Sequence, residues 1–289
     1  MADLSLKKLV QLIEQNQDED LRVAGIRVAG ALCTKKDTPI VKSLLHVVDQ
    51  SENALRTCAI DALGNLGADE ALPRLLDFVQ EGGDVVECSV IAASKLGKRA
   101  TKALTKLMSE APPHLRRRIA GALGHGHTDN AILGAIQTLM DPEPRVVEAA
   151  ARSLSSEVPA LTDKQKQALS ANLIEHLSNG EAYSAATQEA MLRILGDLQT
   201  PESETVFWKV LKTTSSASQK AVALESLGSI EWRSNETKLK QLFACAHERD
   251  FTIVSRALML LQNVQAKGKA QQHFDELLSA PDLAAKRLA

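Results

Sequence analysis

Apolar side chains recur along this chain at spacings of three and four, the period that gathers them on one face of a helix. Leu6, Leu9, Val10 and Ile13 form one stripe, Leu44, Leu45 and Val48 another, and Leu239, Leu242 and Phe243 a third. Each belongs to the first helix of a pair. The clearest second helix is Leu55-Arg56-Thr57-Cys58-Ala59-Ile60-Asp61-Ala62-Leu63-Gly64-Asn65-Leu66-Gly67. Its Leu-Gly pair recurs, with substitutions, as Leu32-Cys33, Leu63-Gly64, Leu96-Gly97, Leu123-Gly124, Leu154-Ser155, Leu195-Gly196, Leu227-Gly228 and Leu261-Gln262. The intervals are 31, 33, 27, 31, 41, 32 and 34 residues, near the length of a helix-turn-helix repeat. Four residues before each leucine stands a small or apolar residue: Val28, Ala59, Ala92, Ile119, Ala150, Met191, Ala223 and Ala257. That spacing marks an interface where small side chains let neighbouring helices approach.

The pattern predicts helix pairs at 4–16/19–33, 38–50/52–66, 69–81/84–97, 99–110/113–125, 128–140/143–157, 162–178/182–197, 202–213/216–229 and 234–247/250–265, with a ninth first helix at 268–279. All nine prolines fall at predicted turns or in a first helical turn, where the missing N–H costs little. Thr38-Pro39 and Thr200-Pro201 read as an N-cap followed by the first helical position, and Asp141-Pro142-Glu143-Pro144 as a turn. One helix pair cannot bury both of its apolar faces, so the pairs must stack. The expected fold is all-α: a right-handed α-α superhelix of about eight helix pairs plus a C-terminal cap or partial repeat. One solenoid over 1–289 is expected, with an offset near 155–162 where the sixth unit is long. Residues 281–289 resemble the start of another second helix, so the stack either ends on a short cap or continues in a longer chain.

The segments from Ala54 through Leu76 and from Asp141 through Leu154 resemble HEAT repeats of the kind found in phycobilisome lyases. The resemblance extends with varying fidelity over nearly the whole chain. It implies the solenoid but no single function, because that family spans scaffolds, chromophore lyase subunits, a metal-dependent hydroxylase and distant DNA glycosylases.

Composition agrees with closely packed helices: 44% of residues are apolar but only 3% aromatic. The N-terminus has no uninterrupted apolar run, and no stretch is long enough to span a bilayer, so a soluble cytoplasmic chain is expected. Cys33, Cys58, Cys88 and Cys245 are far apart and sit among helical apolar positions. They read as small buried hydrophobes, with neither disulfide nor metal required.

Candidate chemistry is sparse. His125-Gly126-His127 offers two imidazoles but reads better as a polar turn. His247-Glu248 is a single His-Glu pair, whereas the hydroxylase resemblance would need such pairs repeated. The chain contains no G-x-S-x-G, glycine-rich phosphate loop or H-E-x-x-H. Trp208 and Trp232 read as packing residues or a loop anchor. The sequence is therefore expected to be non-enzymatic, with no catalytic residue, cofactor or metal.

Charge does change the picture. The formal net charge is only -2, yet Lys95, Lys98, Arg99, Lys102, Lys106, Arg116, Arg117 and Arg118 face only Glu110 between residues 95 and 118, a local balance of +7. Residues 37–94 carry ten acids against Lys42, Arg56 and Arg74, a balance of -7. In this repeat class second helices line the concave surface, so register places Asp61, Asn65, Lys98, His125, Arg152, Arg193 and Glu225 on that inner ridge. Lys98, Arg116, Arg117, Arg118, Arg152 and Arg193 are the candidate partner-binding residues. The expected function is an interaction scaffold or adaptor for a protein or peptide partner, one of acidic character, with neither a membrane nor a small-molecule substrate involved. Two alternatives stand beside it: an accessory enzyme subunit resembling chromophore lyases, and nucleic-acid binding through the 95–118 stripe.

Overall fold

A computed structural model of the chain describes residues 2–126, 128–178 and 183–263. Its α-helices pair as the apolar pattern requires. The first helices are α1 (Ala2–Gln15), α3 (Thr38–Gln50), α5 (Leu72–Glu81), α7 (Lys98–Glu110), α9 (Asp129–Thr138), α11 (Asp163–Ser178), α13 (Glu204–Thr213) and α15 (Glu236–Ala246). The second helices are α2 (Glu19–Leu32), α4 (Asn53–Leu66), α6 (Val86–Lys95), α8 (Pro113–Leu123), α10 (Pro144–Glu157), α12 (Ala185–Leu198), α14 (Ala217–Ser229) and α16 (Phe251–Gln262). The expected helix at 268–279 and the segment 281–289 lie outside the described residues. Among the described residues no helix is long and apolar enough to cross a membrane.

Local chemistry sets the helix ends. The Asp18 carboxylate accepts from the Asp20 and Leu21 amides to start α2, and the Thr128 hydroxyl accepts from Ala131 N–H to start α9. Gly67 and Gly82 end α4 and α5 in the left-handed conformation, which glycine adopts without a Cβ penalty. One expected cap differs. Thr38 is already helical and Asp37 precedes it, its carboxylate turned back to accept from the Thr34 amide and hydroxyl instead of capping α3.

The chain divides into two compact units, Met1–Ala160 and Leu161–Ala289. In the first unit, α1, α3, α5, α7 and α9 form one layer and α2, α4, α6, α8 and α10 the other. Their contact buries Ile26, Ile40, Leu44, Ile60, Leu63, Leu75, Leu104, Ile119 and Leu123. Each such side chain removed from water contributes about 1.5–3 kcal/mol before the entropic cost of ordering it. In the second unit, α11, α13 and α15 pack on α12, α14 and α16 around Leu173, Ile194, Leu195, Phe207, Leu224 and Leu242.

Successive second helices meet at one repeated position. A Cβ on Gly64 of α4 would stand 2.7 Å from the Ala92 Cα of α6, and one on Gly30 of α2 would stand 3.1 Å from Ala62 of α4. Gly124 lies in the same way against the Ser153 backbone, and Gly196 against Ser226. A residue without a side chain in one helix therefore meets a small residue in the next. This contact corrects the register in two repeats. In α2 the equivalent of Leu63-Gly64 is Ala29-Gly30 rather than Leu32-Cys33, and Leu32 and Val28 are exposed. In α6 it is Ala93-Ser94 rather than Leu96-Gly97: the helix ends at Lys95, and Gly97 has φ 93° immediately before α7. Three of the four cysteines, Cys33, Cys58 and Cys88, are only half-buried, and Cys245 alone is buried.

Candidate protein-binding surface

Arg116, Arg117 and Arg118 occupy consecutive positions of α8, so their side chains leave the helix about 100° apart, and they differ in what holds them. Arg116 makes a two-point pair with Asp141, Nε to Oδ2 at 2.8 Å and Nη2 to Oδ1 at 3.0 Å, and its Nη1 donates to the Ala111 carbonyl at 3.0 Å. The hydrogen bonds it donates to Asp141 raise its already high pKa. Arg118 turns the other way. It grips both Glu87 carboxylate oxygens of α6 at 2.6 and 2.7 Å and donates to the Gly82 and Gly83 carbonyls at 2.9 and 3.0 Å. That pairing raises the Arg118 pKa and holds the Glu87 carboxyl below the usual carboxylate range. Both arginines tie repeats together through these pairs, so the three consecutive arginines do not form one unpaired stripe.

The structural role of Arg116 recurs. Arg22 Nε donates to the Ile13 carbonyl at 2.8 Å and Arg56 Nε to the Val48 carbonyl at 3.1 Å. Arg22, Arg56 and Arg116 each stand eight residues before a contact glycine, Gly30 and Gly64 within their helices and Gly124 at the C-cap of α8. Each satisfies a carbonyl at the end of the preceding first helix, where no intrahelical donor remains. That eight-residue spacing is visible in the sequence and marks Arg116 as a repeat position.

Arg117 is exposed, and among the described residues no acid holds it. It lines an open groove of about 530 Å³ on the exposed face of α8 and α10, together with Arg118, Arg145, Arg152, Gly121, Ala149, Glu87 and Glu148. Arg145 at the start of α10 is likewise exposed and not held by an acid, whereas Arg152 pairs with Glu148 one turn away at 2.6 Å. Both members of that pair are mostly exposed, so it is worth at most about 0.5 kcal/mol and gives way readily to a competing anion. The groove therefore presents Arg117 and Arg145 directly and Arg152 at small cost. Arg145 was not singled out by charge counting because it lies beyond the 95–118 cluster.

The other candidates are dispersed. Lys98, Arg99, Lys102 and Lys106 are exposed on α7, in the first-helix layer, while Arg117 belongs to the second-helix layer. The linear basic cluster is therefore split between two faces, and Lys98 is not on the ridge assigned to it. Lys95 donates to Asn65 Oδ1 at 2.9 Å across α4 and α6. Arg193, in the second unit, pairs with Glu189 at 2.7 Å, and Glu189 also accepts the Ser218 hydroxyl at 2.6 Å. Burial pushes the Glu189 carboxyl up, but the Ser218 and Arg193 hydrogen bonds together hold it below its usual range. Glu225 pairs with Arg256 at 2.9 Å.

Of the histidines singled out as candidate ligands, His127 lies outside the described residues, and the other two have partners. His125 pairs with Glu157, and His247 Nδ1–H donates to the Phe243 carbonyl at 2.7 Å. Trp232 packs edge-on against buried Trp208 with centroids 5.1 Å apart, anchoring the loop between α14 and α15. Lys238 completes that anchor through Glu204 at 2.5 Å, the same carboxylate that accepts from Trp208 Nε1.

The family model for HEAT repeats matches residues 6–94. No curated protein matches the chain. Among solved structures, a chain from work on a phosphorylation switch controlling the interaction between cadherin and beta-catenin is 16% identical, with a TM-score of 0.38 over 94% of this chain and 62% of the other. The present chain thus spans about three fifths of that relative's length. The complex of CpcE and CpcF of phycocyanin lyase from Nostoc sp. PCC7120 contains a chain 20% identical, with a TM-score of 0.33 over 98% of this chain and 94% of that one. An engineered protein is 17% identical, with a TM-score of 0.28 over 79% of this chain and 99% of its own.

Proposed function

We propose that this chain is a non-enzymatic interaction scaffold that binds an acidic segment of a protein partner along the exposed face of α8 and α10. The observation that carries the reading is the contrast within one helix. Arg116 and Arg118 are held in ion pairs, while Arg117, which lines an open groove with Arg118 and Arg145, is paired with no acid among the described residues. Guanidinium groups recognise carboxylates through paired N–H donors, and an extended peptide laid across stacked helices collects several such contacts. The split of the 95–118 basic residues between two layers favours a peptide over nucleic acid, whose regular phosphates call for a continuous basic track.

The test is fluorescence polarisation with a labelled panel of acidic, neutral and basic peptides and a single-stranded oligonucleotide, at rising salt. Preferential binding of acidic peptides, lost in Arg117→Glu/Arg145→Glu while helicity is unchanged, is the expected result. Binding that is indifferent to the double substitution sinks the groove reading, and tight, steeply salt-dependent oligonucleotide binding favours the nucleic-acid alternative.

A further inference from the structure

The first second helix exposes the face that the next one buries. Leu21, Val28 and Leu32 of α2 stand 34 residues before Leu55, Ala62 and Leu66 of α4, the same offset that carries Gly30 onto Gly64. In α4 these residues are 5%, 3% and 6% exposed, and α2 packs on that helix with Gly30 against Ala62. In α2 they are 49%, 45% and 79% exposed, and Ala24 extends the same stripe. The register thus identifies a helix-packing face, built to be covered by another helix, that nothing covers among the described residues.

We propose that a second copy of this chain covers it, with the two α2 helices antiparallel across a two-fold axis. Leu21 and Leu32 lie three helical turns apart on one face, so a two-fold axis through the middle of α2 sets Leu21 of one copy beside Leu32 of the other. Ala24 and Val28 fill the centre, where small side chains let the helices approach closely. Charge selects the same direction. The helix begins with Asp18, Glu19 and Asp20 and leads out toward Lys35 and Lys36; Lys35 is held by Asp69 at 3.0 Å, and Lys36 has no acid on it among the described residues. Antiparallel copies set the acidic end of each helix against the basic end of the other and align their dipoles favourably, whereas parallel copies would juxtapose like charges. A contact built on one helix face is small, so association is weak and depends on concentration. The arginine groove on α8 and α10 plays no part in it.

The test is sedimentation velocity of the full chain from about 5 to about 500 μM, a range that brackets the affinity of a small interface. The expected result is a sedimentation coefficient that rises with concentration and stays at the monomer value in Val28→Glu and in Leu32→Glu, both exposed substitutions that leave helical circular dichroism intact. Asp20→Lys and Lys36→Glu should each weaken the dimer about two- to fivefold, and the two together should restore it. A wild-type chain that stays monomeric throughout leaves the face to some other partner and overturns the proposal. So does a dimer that survives Val28→Glu, or a charge-reversed double variant weaker than either single one.

Discussion

Gly64 of α4 lies so close to Ala92 of α6 that any Cβ at position 64 would stand 2.7 Å from the Ala92 Cα. Glycine inside a helix ordinarily costs about 1 kcal/mol relative to alanine, so helix propensity alone would favour replacing it. Here the close approach of two helix backbones opposes that gain. Gly64→Ala is expected to lower stability by about 1–3 kcal/mol, the cost of overpacking a tight core. Gly121, whose Cβ would meet only the Ala149 methyl at 4.0 Å, is the control, and Gly121→Ala should be neutral or stabilising by up to about 1 kcal/mol. Urea unfolding of the two variants separates the cases.

The three consecutive arginines should divide by function. Arg116→Ala leaves the Asp141 carboxylate, 8% exposed, without its two-point partner, and a loss of about 2–4 kcal/mol is expected. Arg118→Ala removes a more exposed tie and should cost about 1 kcal/mol. Arg117→Ala should leave the unfolding midpoint unchanged and reduce only peptide binding. Denaturation midpoints set beside polarisation titrations check all three.

The Glu87–Arg118 pair also carries a pH signature. The hydrogen bond from Arg118 holds the Glu87 carboxyl below its ordinary value, so the folded state binds its proton less readily than the unfolded chain. The resulting stabilisation is complete above the ordinary carboxylate value and is lost as pH falls through the lower folded one. The stability advantage of the wild type over Arg118→Ala should therefore persist at neutral pH and shrink in acid. Paired urea titrations between about pH 7 and about pH 3 would show it; an advantage that grew on acidification would contradict the assignment.

Burial pushes the Cys88 and Cys245 thiols up to about 11, with Asp61 and Glu248 respectively adding to the effect. Thiolate, not thiol, is the nucleophile, so at neutral pH each holds roughly a hundredfold less of the reactive form than an ordinary cysteine. Iodoacetamide should modify both slowly in the native protein and quickly in denaturant, as mass spectrometry of labelled peptides can follow. Fast native labelling at either would mean that its helix opens locally.

The helix pairs were legible because a 3.6-residue apolar period and proline-marked turns are local signals, and all eight pairs over the described residues stand within a few positions of their expected places. The register inside a helix was less legible. Counting Leu-x pairs chose Leu32 and Leu96, because a leucine near a helix end looks like one facing a neighbour until the neighbour is present. The Arg-to-Gly spacing of eight in α2, α4 and α8 was available in the sequence and would have corrected the first repeat, since it points to Gly30. It would also have separated Arg116 from the binding candidates. Arg118 offered no such sign, because Glu87 lies 31 residues away and meets it only across packed helices.

By itself the sequence determined that the described chain is built of paired helices, where they turn, and that small residues recur where helices must meet. These follow from hydrophobic period, capping and backbone sterics, which act over a few residues. Tertiary structure alone decided which charges remain available. Stacking brings Arg116 to Asp141, Arg118 to Glu87 and Lys95 to Asn65, leaves Arg117 and Arg145 facing solvent, and divides a linear basic run between two layers. The physical reason is that a side chain's neighbours across a repeat are set by packing some thirty residues distant, and charge counted along the chain carries no record of that distance.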